Sequence, residues 1–172
     1  MVNGKRIARA QGESQGAQGI EEEGLVSSRR EPTFSETPPE VNILARRVIG
    51  AAVEVHRHLG PGYAESVDEN ALVIELGLRD LSYQRQAGFN ITYKGQEVGE
   101  GRADLLVERR LIVELKAVDR LTDVHFAKAV SYLKAMGLPL ALLINFNVPV
   151  LMRGVRRVVL NRANLPEEQE QA

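Results

Sequence analysis

A mixed α/β domain, its sheet covered by helices, is the fold class this chain predicts, and three observations predict it. Apolar residues recur at helical spacing between Val41 and Leu59 and again between Ala64 and Leu78. After Asp80 the period shortens to that of strands, and it turns helical again only between Thr122 and Met136. The 172 residues, 44% apolar and 26% charged, suffice for one domain with a real core and are too few for two large ones.

Each element follows from its own residues. Val41, Leu44, Ala45, Val48, Ala52, Val55 and Leu59 make the first helix amphipathic, and Gly60-Pro61-Gly62 stops it. In the second helix Val67, Ala71, Ile74 and Leu78 form the stripe expected to face the core, which leaves Glu65, Asp68 and Leu72 on another face. Short strands are expected over 82–86 and 89–93, a Lys94-Gly95 turn leads to another over 96–98, and a further pair spans 102–107 and 111–115. Thr122 or Asp123 can cap the third helix, which Gly137 ends. Residues 140–145 and 155–160 are the last strands. The first 38 residues are rich in Gly, Glu, Ser, Gln and Arg, cannot bury enough surface to offset their ordering entropy, and are expected to be a disordered leader. Residues 39–162 then form the domain and 163–172 an acidic tail.

Composition removes several function classes. There is no Cys, so disulfide scaffolds, cysteine nucleophiles and thiolate metal sites are out, and the redox compartment is left undecided, with a reducing cytoplasm as the simplest reading. No apolar run approaches the roughly 20 residues needed to span a bilayer, and the N-terminus lacks the apolar stretch of a secretory signal. Net charge is −1, but residues 40–162 carry seventeen Lys/Arg against fourteen Asp/Glu. Arg153, Arg156, Arg157 and Arg162 crowd the end of that region. They either protect an edge strand from pairing with other chains or contact phosphate. No phosphate-binding loop is present. His56 and His58, two apart on a helix, point in different directions and are expected on its surface rather than on a metal.

The stretch RADLLVERRLIVELKAV, residues 102–118, sets Asp104, Glu114 and Lys116 inside otherwise apolar strands. Burying such groups costs several kcal/mol unless they are paired or bound to a metal. A hairpin closed around Glu108, Arg109 and Arg110 puts Asp104 opposite Glu114, with Lys116 on the same face as Glu114. Two carboxylates about 5 Å apart at Cβ repel unless a cation lies between them. A hard divalent ion, most simply Mg²⁺, resolves the conflict, and Lys116 then stands ready to stabilise charge on a phosphate. The plainer alternative is a Glu114–Lys116 ion pair with Asp104 merely starting a strand. Glu65 lies in the first turn of the second helix, where a carboxylate also suits the helix dipole. On the third helix His125, Lys128 and Tyr132 share a polar stripe distinct from Phe126, Ala129, Val130, Leu133 and Met136.

Six stretches in order, GYAES (62–66), GRADLLVE (101–108), IVELKAV (112–118), LTDVH (121–125), YLKAMG (132–137) and LLINF (142–146), resemble the GxxExxY family, assigned to the PD-(D/E)xK nuclease superfamily. The resemblance covers about residues 41–160. It implies an αβββαβ core with a mixed sheet flanked by helices, Asp104, Glu114 and Glu65 as metal ligands, and Lys116 as the catalytic lysine. It also implies Mg²⁺, with Mn²⁺ as a substitute, and a nucleic-acid substrate, DNA before RNA. His125, Lys128 and Tyr132 become candidate substrate contacts. Two positions differ from the pattern: Asp68 stands where the motif has Tyr, and Lys128 where related nucleases carry Gln. A non-cleaving protein that binds nucleic acid or another protein is the alternative function.

Overall fold

The computed structural model describes residues 37–160. Residues 1–36 of the predicted leader, the acidic tail and Arg162 lie outside the described residues. Two helices, α1 (Pro39–Leu59) and α2 (Glu65–Leu78), precede three strands, β1 (Tyr83–Tyr93), β2 (Gln96–Val107) and β3 (Leu111–Lys116). Helix α3 (Asp123–Met136) then leads to β4 (Leu140–Asn145), a single turn α4 (Leu151–Gly154) and β5 (Val155–Val159). The sheet runs β1-β2-β3-β4-β5. Every pair is antiparallel except β3 with β4, and parallel neighbours need a crossover, which α3 supplies. This is the predicted mixed sheet flanked by helices.

Two apolar layers hold it. On one side Val48, Ala52, Leu72 and Leu76 of α1 and α2 join Leu105, Val113 and Leu142 of the sheet. On the other, Ala129 and Leu133 of α3 join Ile112, Ala141 and Leu143. The central strands β3 and β4 are covered on both faces, which is why LIVELK and LALLIN are apolar apart from Glu114, Lys116 and Asn145. The same cover makes Glu114, in the middle of β3, only 1% exposed.

The four short strands expected over 82–98 and 102–107 merge into one long hairpin. Gly88, Gly99 and Gly101 blur the alternation in sequence, yet the ladder continues from Tyr83↔Val107 to Tyr93↔Gln96. Its turn is Lys94-Gly95, both at positive φ (50° and 75°), as a tight hairpin requires. Gly101 has a packing reason: a Cβ there would run into the Phe89 ring, which itself packs edge-on against Tyr132 of α3 at 4.7 Å. Gly101→Ala should therefore lower stability by about 1–3 kcal/mol, the usual cost of overpacking. Urea denaturation checks this, and an unchanged midpoint would show that the ring moves freely.

Two further expectations are corrected. On α2 the stripe through Val67, Ile74 and Leu78 faces solvent (39%, 65% and 75% exposed), and Asp68, Glu69, Leu72, Val73 and Leu76 face inward. The helical period permits either stripe, and the wedge between α1 and the sheet selects the one whose polar end is matched. Glu69 there accepts from Arg85 Nε at 2.9 Å and Gln86 Nε2 at 3.1 Å, pinning α2 to β1. His56 is not a surface residue: it is 8% exposed and its Nε2 meets the Val148 carbonyl at 2.8 Å, whereas His58 is exposed and pairs with Glu54. The turn α4 was not expected from sequence. It lies under α1, where Leu151 joins the core.

Candidate active site

The site forms where β2 and β3 stop pairing. The ladder joins Val107 to Leu111, Leu106 to Ile112 and Leu105 to Val113, the register expected from a three-residue turn. Glu108 and Arg109 of that turn take positive φ. One step further the side chains replace the ladder. The Asp104 amide donates to Glu114 Oε1 at 3.3 Å, and the Leu115 amide donates to Asp104 Oδ2 at 2.8 Å. Each carboxylate thus satisfies a backbone donor of the other strand, which anchors both in an otherwise apolar setting.

Glu114 does not pair with Lys116. Its Oε2 lies 2.8 Å from Lys128 Nζ of α3, and no other donor reaches that buried oxygen. Burial raises the Glu114 pKa, the neighbouring Asp104 charge raises it further, and the Lys128 ammonium only partly opposes them. Burial works to lower the Lys128 pKa, but the Glu114 carboxylate, with Tyr132 and Asp104 adding to it, outweighs it, so the ammonium is held above its ordinary value.

Lys116 joins the remaining carboxylates. Its Nζ is 3.4 Å from Glu65 Oε1 and 3.8 Å from Asp104 Oδ2, and it also donates to the Leu115 carbonyl. Glu65, in the first turn of α2, therefore reaches the site through Lys116. Three residues along that helix, Asp68 is 2% exposed with Oδ1 lacking any hydrogen bond. Burial raises its pKa from 3.8 to about 6; His56 works against this and Glu65 adds to it.

Of the α3 stripe, only Lys128 touches a carboxylate of the site. Tyr132 lies under it, the ammonium 5.0 Å from the ring centre. His125 serves the helix instead, its Nδ1 accepting from the Thr122 amide at 3.0 Å, which identifies Thr122 as the cap. Sequence reasoning missed Asn145. Paired with Lys116 across β3 and β4, it accepts from the Val118 amide (3.0 Å) and donates to the Val118 carbonyl (2.7 Å), fixing the chain as it leaves the site. The available signal was a buried amide ending an apolar strand.

A hard divalent cation fits this donor set in kind. Asp104, Glu114 and the Leu115 carbonyl are all oxygen donors, and Glu114 Oε2 is a buried acceptor whose sole partner is an ammonium, itself a cation. Mg²⁺ needs only one or two carboxylates, completing its shell with water and substrate oxygens. Among the described residues no three His, Asp or Glu side chains converge into a ready-made cluster, because Lys116 stands between Glu65 and the other two.

Fold and site together define a nuclease-like α/β domain, with paired carboxylates and a lysine at the point where two strands diverge. The chain belongs to the PD-(D/E)XK nuclease superfamily, whose family model matches residues 42–158. No curated protein and no solved structure matches it. No helix among the described residues is long and apolar enough to cross a membrane.

Proposed function

We propose that this chain hydrolyses phosphodiester bonds in nucleic acid, DNA before RNA, using Mg²⁺ or Mn²⁺ held by Asp104 and Glu114. The observation that carries this reading is the meeting of those two carboxylates at the end of the β2–β3 ladder with Lys116 beside them. When bound, the ion would polarise the phosphate and lower the pKa of an attacking water. The Lys116 ammonium, preorganised by Glu65 and Asp104, stabilises the negative charge that grows on the phosphate oxygens. Glu65 acts as a positioning residue through Lys116, or as a third ligand once that ammonium turns to substrate. Lys128 and Tyr132 lie where they can meet substrate, and His125 begins the same helix. Within the superfamily we assign the chain to the GxxExxY group, on its motifs at Gly62–Ser66 and Gly101–Glu108. Cytoplasmic residence accords with the absence of cysteine.

A basic hollow gives the polymer a second foothold. Beyond the C-terminal ends of β3 and β4, a cavity of about 290 Å³ is lined by Arg120, Arg153 and Arg156, beside Asp119 and Phe126. None of the three guanidiniums pairs with a carboxylate among the described residues. Because β5 is an edge strand, Arg156 also suits protection of that edge, and its Nη1 donates to the Arg153 and Val155 carbonyls. Arg120→Gln and Arg153→Gln should each weaken DNA binding at all sequences and reduce the slope of log K against log salt by about one. An unaltered slope would leave edge protection as the role of this cluster.

The direct test is a cleavage screen of single- and double-stranded DNA and RNA with Mg²⁺ or Mn²⁺, alongside Asp104→Asn. Cleavage that needs the ion and is lost in the variant is the expected result; none on any substrate would sink the reading. The Lys128–Glu114 contact favours a second reading, a protein that binds nucleic acid without cutting it. Binding without cleavage that survives Asp104→Asn would establish that instead.

A further inference from the structure

We propose that Lys128 is an exchangeable counter-ion: its ammonium occupies Glu114 until a phosphate of the nucleic acid draws it away, so that nucleic acid and divalent cation bind cooperatively. The inference rests on the metal-dependent nuclease reading above and adds to it an order of events and a residue that sets it.

The two ammoniums of the site are held differently. Lys116, its side chain 13% exposed, is fixed by Glu65, Asp104 and the Leu115 carbonyl. Lys128 has Glu114 as its one carboxylate, and its side chain is 38% exposed, so it can reach solvent while Glu114 cannot. The Tyr132 ring offers a waiting place. It lies 5.0 Å from the ammonium, and its edge contact with Phe89 holds it still. Lys128 can therefore leave Glu114 without losing all stabilisation.

Charge supplies the reason for the exchange. Glu65, Asp104 and Glu114 bring three negative charges, and Lys116 and Lys128 bring two positive ones. Adding a divalent cation with both ammoniums in place leaves the site positive by one, and one phosphodiester restores neutrality. Without that phosphate, Lys128 competes for the oxygen a cation needs, since Glu114 Oε2 has no other donor. With it, the ammonium has a better-solvated partner and Glu114 is released.

The test is Mn²⁺ binding to the full chain, followed by electron paramagnetic resonance of free Mn²⁺, for the parent and Lys128→Gln. Affinity for phosphorothioate DNA, which resists cleavage, is measured by anisotropy with and without Mn²⁺. Without DNA, Lys128→Gln should bind Mn²⁺ about tenfold more tightly or better, because a like charge has left the ligand. Mn²⁺ should also raise the DNA affinity of the parent by a larger factor than that of the variant, since linkage makes the coupling reciprocal. Lys128→Arg, which keeps the charge, should behave as the parent. If Lys128→Gln fails to fold, Lys128→Met takes its place, keeping the stem over Tyr132. Equal Mn²⁺ affinity in parent and variant would overturn the exchange and leave the nuclease reading standing. No Mn²⁺ binding by either protein, with or without DNA, would overturn both.

Discussion

Glu114→Gln should reduce metal-dependent cleavage by about 10³-fold or more while leaving the protein no less stable than the parent. The first half follows from the several kcal/mol of transition-state charge stabilisation that a correctly held ion supplies, at about tenfold per 1.4 kcal/mol. The second half follows from the environment of the side chain. Burial and Asp104 together disfavour the ionised form more than Lys128 favours it, so the folded chain holds this proton more tightly than the unfolded one. A carboxylate raised in this way penalises the fold above its folded-state pKa, and the penalty fades as pH falls towards its ordinary value of 4.5. The amide removes the charge and keeps an oxygen for the Asp104 amide. Lys128, partly exposed, can turn to water. Cleavage rates and melting temperatures measured on one preparation separate the two effects. Activity within tenfold of the parent would remove Glu114 from the reacting centre, and a collapsed melting temperature would show that the pair with Lys128 is structural.

Asp68→Asn should stabilise the protein at neutral pH and have almost no effect below pH 4. Asp68 is buried beside Glu65 with an unpartnered oxygen, and its pKa rises from 3.8 to about 6. Because the folded value lies above the unfolded one, the folded chain binds the extra proton between those limits. Stability therefore falls as pH rises from 3.8 to about 6, and the full penalty applies above that window. The shift corresponds to about 1–3 kcal/mol, with the attraction of His56 already offsetting part of the burial cost. The amide escapes the charge penalty and keeps the shape. Urea midpoints at pH 7.5 and pH 4 test this, and a gain of equal size at both would show that packing, not ionisation, is responsible. The result also bears on function. A stabilising substitution that leaves cleavage intact would make Asp68 a tolerated cost, whereas loss of cleavage would tie it to Glu65.

Much of this was legible in the sequence because it depended on period and register. Apolar spacing defined α1, and a three-residue turn with strict alternation put Asp104 opposite Glu114, a relation that neighbouring residues alone impose. Asp104 and Glu114 could be singled out because a charge in an apolar strand needs a partner. Which partner it takes is not local information. Lys128 reaches Glu114 because α3 crosses back over the sheet to let β3 and β4 run parallel, and the strand's own Lys116 is taken by Glu65 from a helix fifty-one positions earlier. The inward face of α2 was undecidable for a related reason: its sequence carries two plausible stripes, and only the fit against α1 and β1, with Arg85 waiting for Glu69, selects one. His56 looked like a surface residue until the chain around Val148 folded back to offer it a carbonyl ninety-two positions away. By itself, then, the sequence determined the three long helices, the register of the β2–β3 turn and the charges that needed partners. The tertiary structure decided the pairings, because energies of burial and of ion pairs depend on distances that the packing of helices on a sheet creates.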